Sequence, residues 1–497
     1  MVQTGLPYSK KLSAHTSCVN SLAFSKEGRW LASAGDDPYI HLWDFNQKAF
    51  TGPRSNVFTV AFSASGQYLY SGDTQDIIYQ YDLLHMSSPV AHGPRTPSWR
   101  DTRHEDSIRA ISCHPETDNL FLSGAEDGKV ILHDMRTQLK YSHAQSLLQH
   151  TAEITCVQYH PTMTHIFATS DNRGQVCLRD VRMAFGPLSQ RSNAGIVHEY
   201  VTTIAKQGTA RMARPEASSL TFDRDGTFLL FACIRYLTSD PGRRLGHHIP
   251  TLYSLNDPYP IATFSDRFNA NRIPGSSWKD MYSNSCTMKH GTFGGLGSDR
   301  DMFYAQGSDD FRTYIWKIPD DAELLAQRAI LDDSEWHNCP RPGEIGYASS
   351  LAGSRYVPFE VSRPFTRLGG HGSIVNTALF HPHRPLLLTA GIERFTRLHS
   401  PTPTTPCTER LEATPLEVRL AASSNPGSRE VLLRAMGMVD DSDTEEAEDD
   451  SQAIAMFDHI LRQEGNGDVF SINPWTPGSD DETDSDSIDD HEGVSLQ

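Results

Sequence analysis

The feature that most constrains this chain is a phrase of about forty residues that recurs along it. Its fullest copy runs from His104 to Arg136, HEDSIRAISCHPETDNLFLSGAEDGKVILHDMR. Ser107 to Cys113 reads as a first strand, Leu120 to Ser123 as a second and Lys129 to Asp134 as a third, with Gly128 turning the last pair. A unit this short cannot bury its apolar faces alone, so copies must stack on one another. Certain polar positions recur with the strands. This copy has His104, Ser123 and Asp127, then His133 near the end of the third strand. The first copy has His15, Ser33, Asp37 and Trp43, within the phrase LASAGDDPYIHLWD. The chemistry is a buried hydrogen-bond chain. Asp fixes the His tautomer, and Ser bridges His to the ring N–H at the fourth position. The set resembles a catalytic triad, but its place inside a repeated unit marks it as a lock between strands.

These spacings are those of a WD repeat, one blade of a β-propeller. The fold class is therefore all-β, a seven-bladed WD-repeat β-propeller with a disordered acidic C-terminal tail. The blades fall near 14–47, 56–85, 104–137, 150–184, 217–262, 284–318 and 370–400, and the tail is 401–497. Several copies are degenerate. Blade two carries Gln75 at the Asp place and Tyr81 at the Trp place. Blade four carries Thr169, Arg173 and Arg179 at the Ser, Asp and Trp places. Blade six keeps Asp310 and Trp316, and blade seven has His371, Thr389, Glu393 and His399. The seventh blade lacks an outer strand after Ser400. Residues just before His15 could supply it, joining both ends of the chain and leaving no open edge.

Three connections, 186–216, 234–249 and 320–366, exceed ordinary turns. The second holds Arg235, Arg243, Arg244, His247 and His248, either a basic partner loop or a solvated insertion. In the third, AELLAQRAIL has the pattern of a short helix.

Net charge is −18, and it is all in the tail: residues 401–497 hold 23 acids, five Arg and no Lys. The body is neutral, which argues against direct nucleic-acid binding. The tail is rich in Pro, Ser and acid, so disorder is expected. A helical island at 453–463 interrupts it, with Ile454, Phe457, Ile460 and Leu461 at helical spacing, either a helix that docks on the propeller or on a partner or a transient helix without a role. Ser442, Thr444, Ser479, Thr483, Ser485 and Ser487 lie among acids and are candidate phosphorylation sites. The eight Cys form no CxxC pair. Together with the absence of a signal-peptide pattern or an apolar run of about 20 residues, this points to an intracellular protein, in the nucleus and/or cytoplasm, without membrane contact.

No catalytic constellation stands out. Glycines 291, 294, 295 and 297 are followed by neither the Lys nor the helix of a phosphate loop. Metal-ligand spacing is absent, and neither a metal nor a cofactor is expected. The sharper signal is a pair of endings on consecutive blades, Asp134-Met135-Arg136 and Asp180-Val181-Arg182. Arg two residues after the Asp, twice in succession, offers rigid donor forks side by side on one rim.

Those endings resemble the box by which WD-repeat substrate receptors dock on their adaptor, with His133 and Arg179 replacing the usual Trp. Longer phrases strengthen the likeness: HTSCVNSLAFSKEGRWLASAGDD, NSCTMK with GSDDFRTYIWKIP, GHGSIVNTALFHP, and AMFDHILRQE before an acidic Ser-Asp run. On these the chain resembles the DDB- and cullin-4-associated factors. The resemblance implies a non-catalytic substrate-receptor subunit of a cullin-4 RING ubiquitin ligase. Asp134, Arg136, Asp180 and Arg182 would meet the damaged-DNA-binding-protein adaptor, and through it cullin-4, while the propeller presents a target protein that the sequence does not identify. The alternative is a WD-repeat interaction scaffold in chromatin or RNA processing without a ligase link.

Overall fold

The computed structural model describes residues 5–44, 48–84, 96–136, 146–186, 193–207, 212–234, 249–266, 282–338, 344–404, 411–419 and 451–464. Seven antiparallel sheets follow one another along the chain. Sheet one is Val19–Phe24, Leu31–Gly35, Tyr39–Trp43 and Lys48–Thr51. Sheet three is Ile108–Cys113, Leu120–Ala125, Lys129–Asp134 and Leu147–Gln149, and sheet four is Ile154–Tyr159, Ile166–Asp171, Val176–Asp180 and Ile196–Tyr200. Sheets two, five, six and seven begin at Val57, Glu216, Thr292 and Val375. The first strand of each packs on the first strand of the next, and the seventh packs back on the first. These inner strands form a ring: the chain is a WD-repeat β-propeller.

Two local features repeat with the sheets. A bulge sits near the start of the first strand in six of the seven, between Val19 and Ser21, for example, and between Ile108 and Ala110. Such bulges sharpen strand twist, which fans neighbouring sheets apart. A glycine on the second strand lets the next sheet in. A Cβ on Gly72 would lie 2.3 Å from Ile108, and one on Gly124 would lie 2.6 Å from Ile154. Ile108 and Ile154 are both fully buried in these notches.

The seventh sheet closes as the sequence suggested. Tyr8–Ser13 lies antiparallel to Phe395–Ser400, with Tyr8 opposite Ser400 and Ser13 opposite Phe395. Both chain regions therefore share one sheet. Glu412–Ala413 adds a fifth strand outside Tyr8.

Elsewhere the structure departs from the sequence reading. The fourth strand of sheet six is Thr366–Leu368, at the far end of the 320–366 connection. That connection is not one irregular loop. It contains helices α2 (Asp321–Gln327) and α3 (Asp333–Asn338), the latter two in order after the short α1 (Val181–Ala184). The segment AELLAQRAIL is helical only to Gln327, and Ala329–Leu331 is a strand. With Ile204–Lys206, Met212–Ala213, Ile345–Tyr347 and Arg355–Val357 it forms an eighth sheet. This sheet flanks sheet five, where Tyr259 stacks on Tyr356 at 3.5 Å and Arg328 pairs with Asp257 at 2.6 Å. Phe359–Val361 then runs parallel along the outer edge of sheet five, so that edge is covered.

The tail is also more structured than expected where it is described. Leu411 is buried against sheet seven, and a fourteen-residue helix, α4 (Ser451–Glu464), packs on the ring. Composition forecast disorder because it averages over the acidic flanks, whereas a few apolar side chains suffice to dock a segment. The basic loop 235–248 and all six candidate phosphorylation sites lie outside the described residues. Among the described residues no helix is long and apolar enough to cross a membrane.

Candidate interaction surfaces

Each sheet has two ends. At one, the second strand turns into the third; at the other, the third strand stops. The recurring polar network hangs from the first end. In sheet one His15 Nδ1 meets Asp37 at 2.9 Å and Nε2 meets Ser33 Oγ at 2.8 Å, while the Trp43 indole N–H donates to Ser33 at 2.9 Å. In sheet three His104 reaches Asp127 at 3.1 Å and Ser123 at 2.7 Å, and Ser123 is 2.8 Å from His133 Nε2. In sheet seven His371 contacts Glu393 at 2.7 Å and Thr389 at 2.8 Å, and Thr389 is 3.0 Å from His399. Burial alone would raise the Asp37, Asp127 and Glu393 carboxyls, but their His partners hold all three below the usual range.

Sheets three, four and seven keep the bond and change the donor. Register shows why. Trp43, His133, Arg179 and His399 stand opposite Leu31, Phe121, Phe167 and Leu387, so they occupy one position in four sheets. Each faces the hydroxyl two residues on. Arg179 Nε donates to Thr169 at 3.1 Å, and its Nη1 donates to the Ala194 carbonyl at 2.7 Å. His133 stacks on Phe121 at 4.1 Å, and Arg103 Nη2 approaches its Nδ1 at 2.5 Å. Ring or guanidinium, the side chain supplies an N–H in a buried place.

Sheet six solves the problem differently. Trp316 is fully buried, but its indole donates to the Ser265 carbonyl at 2.9 Å. Asp310 accepts from the Tyr314 hydroxyl at 2.7 Å and from Arg312 at 2.9 Å. Asp310 and Trp316 therefore belong to separate networks. The preceding Asp309 takes the backbone N–H of Ser285 at 2.6 Å and the buried Lys289 ammonium at 2.7 Å. An Asp-Asp doublet leaves the spacing ambiguous, and no His announces the site.

One grouping among the described residues, His15, Asp37 and His41, is close enough to hold a metal ion. Both His15 nitrogens are already committed to Asp37 and Ser33. Burial, with His15 beside it, pushes His41 down to about 4. These atoms serve the fold.

The other end of the sheets carries the paired endings. Asp134 stands opposite Leu120 and Asp180 opposite Ile166, so the two are equivalent in adjacent sheets. Arg136 folds back on its own Asp, with Nε to Oδ1 at 2.9 Å and Nη2 to Oδ2 at 2.8 Å. Arg182 repeats this at 3.0 and 2.6 Å. Each Asp also accepts the backbone N–H of its Arg, at 3.0 and 2.9 Å, and Asp180 thereby caps α1. The bidentate Arg holds each carboxyl below the usual range. The Arg side chains remain 58% and 69% exposed. Exposed pairs of this kind contribute little to the fold. What they do is aim two guanidinium groups outward from one rim. Sequence reasoning missed their apolar company. Met183, 66% exposed, follows Arg182, and Leu84, 60% exposed, holds in sheet two the place Arg136 holds in sheet three.

Known proteins agree with this architecture. The repeat family described as WD domain, G-beta repeat matches residues 7–44, 46–82, 96–134 and 142–176. DDB1- and CUL4-associated factor 5 of mouse and of human are each 30% identical over 98% of this chain, which covers 43% of their length. The chain thus spans less than half of these relatives. The human WD and tetratricopeptide repeats protein 1 is 30% identical over 27% of the chain and 19% of its own length. On the closed ring of sheets and the repeat matches the chain is a WD-repeat β-propeller, and its likeness to the DDB1- and CUL4-associated factor 5 of mouse and human runs through the tail.

Proposed function

We propose that the chain is a substrate-receptor subunit of a cullin-4 RING ubiquitin ligase, built on a seven-bladed ring. Asp134, Arg136, Asp180 and Arg182 dock the damaged-DNA-binding-protein adaptor, which links the receptor to cullin-4. The observation that carries the proposal is the geometric identity of the two endings: the same bidentate Asp–Arg unit, twice, on neighbouring sheets. Leu84 and Met183 add apolar area to the same rim, which suits a protein interface better than a solvated turn. The subunit performs no ubiquitin chemistry. It holds a target on the opposite end of the ring, inside the cell, in the nucleus and/or cytoplasm.

Affinity capture of the tagged full chain tests this reading beside an established receptor as positive control. Retention of the adaptor and cullin-4 is expected. A chain that retains neither, where the control retains both, is an interaction scaffold of another kind.

A further inference from the structure

The end of the ring away from the Asp–Arg rim is occupied by the chain itself. Helix α4 lies there through Ala453, Phe457 and Leu461, one residue per turn along one stripe. They meet Cys18, Phe311, Ile374 and Ile392, which come from sheets one, six and seven at their turn ends. Asp458 on the same helix is 2% exposed. Its two oxygens accept from Arg419 Nη1 and Nη2, both at 2.8 Å. Arg419 is itself held in place: its Nε donates to the Gly372 carbonyl at 2.7 Å, and its guanidinium lies 5.0 Å over the Phe311 ring. Beneath the helix is a cavity of about 540 Å³ that reaches across the channel mouth to Asn20, Phe58 and Arg109.

The attachment is built to be reversible. Ala453, Phe457 and Leu461 are only half-buried, and Asp458 is the one residue among 453–461 that is fully enclosed. A fourteen-residue helix is marginal in water, so this one depends on its dock. The 31 residues 420–450 separate it from Arg419, a tether that makes a weak contact effective by raising local concentration. Eight of the eleven residues 440–450 just before the helix are acidic, which favours its N-terminal end.

We infer that α4 is an internal stand-in for a target, and that the site it covers receives an amphipathic helix with apolar residues at i, i+4 and i+8 and an acid at i+5. Apolar residues pack on Phe311, Ile374 and Ile392, and the acid pairs with Arg419. The target must displace α4, so the face is closed until a competitor arrives. That the competitor is a ubiquitination target rests on the receptor reading; the occlusion does not.

The test uses a fluorescent peptide of residues 449–466 and the full chain, without adaptor. Phe457→Asp with Leu461→Asp opens the site by releasing α4. The peptide binds this opened chain at least tenfold more tightly than wild type. Adding Arg419→Glu abolishes binding, and a peptide carrying Asp458→Arg restores it. Circular dichroism confirms that each variant keeps its strands. A peptide that binds neither chain, or both alike, overturns the inference, as does an Arg419→Glu variant that binds as before. None of these readouts involves the adaptor, so failure here leaves the receptor reading standing, and the reverse.

Discussion

Arg179 tests whether the recurring network is chemistry or coincidence. Its side chain is fully buried, and burial lowers its affinity for the proton. It donates to Thr169 and to the Ala194 carbonyl. Arg179→Ala removes two bonds from a charged donor, each worth about 1.5–3 kcal/mol. It also leaves a cavity, and it relieves part of the cost of burying a guanidinium. The balance is a loss of about 2–4 kcal/mol. Arg179→Trp behaves differently. In sheet one the Trp43 indole reaches Ser33 at 2.9 Å from the equivalent position. An indole at 179 should reach Thr169 in the same way, while its ring replaces a buried charge by apolar surface. The Trp variant should therefore lie within about 1 kcal/mol of wild type. Urea unfolding followed by far-UV circular dichroism reads both, from midpoint and slope. An Ala variant as stable as wild type, or a Trp variant as damaged as the Ala variant, refutes the argument.

Two further outcomes follow from the same buried groups. Burial holds His41 at about 4, burial and the Arg179 charge hold His150 at about 3, and burial holds His381 at about 4, against about 6.5 when unfolded. Their native pKa values are depressed, so between pH 6.5 and 4 the unfolded chain binds more protons and stability falls as pH falls, by up to about 1.4 kcal/mol per unit for each group. The urea midpoint should be flat from pH 8 to 7 and drop steadily below 6.5; a midpoint unchanged down to pH 5 contradicts this. Separately, Ser33→Ala strands the His15 and Trp43 nitrogens at once, and should cost about 2–4 kcal/mol in the same assay, near twice the loss from an ordinary buried hydrogen bond.

Much of this was legible in the sequence because the network is local and periodic. His15, Ser33, Asp37 and Trp43 declare sheet one outright, and His104 and His371 open two more. The places of Arg179 and of its partner Thr169 could be counted off from the blade period, but the second bond, to the Ala194 carbonyl, could not. Sheet six hid its network because Lys289 stands where no His announces it and Asp309 precedes the better-spaced Asp310. The eighth sheet was invisible for a different reason. Its strands are two or three residues long, too short for alternation to show, and the pairing of Ile204–Lys206 with Ile345–Tyr347 joins residues over a hundred apart in the chain. The rim was half legible. Spacing gave Asp134, Arg136, Asp180 and Arg182, but the exposed Leu84 and Met183 needed coordinates. Docking of α4 was one reading of its apolar stripe, but its partner was not legible, because Arg419, which receives Asp458, sits in a stretch with no pattern of its own.

The most direct measurement of the central claim is direct binding of the purified chain to the purified adaptor, wild type against an Arg136→Ala/Arg182→Ala double variant. Both Arg side chains are mostly exposed, and among the described residues each bonds the carboxylate two residues before it, so the variant should unfold at the wild-type urea midpoint. The account predicts nanomolar to micromolar binding by wild type and a loss of about a hundredfold or more in the variant, the scale on which truncating paired interface Arg residues acts. Equal binding by the two chains would contradict it, and would reduce the paired Asp–Arg endings to turn chemistry.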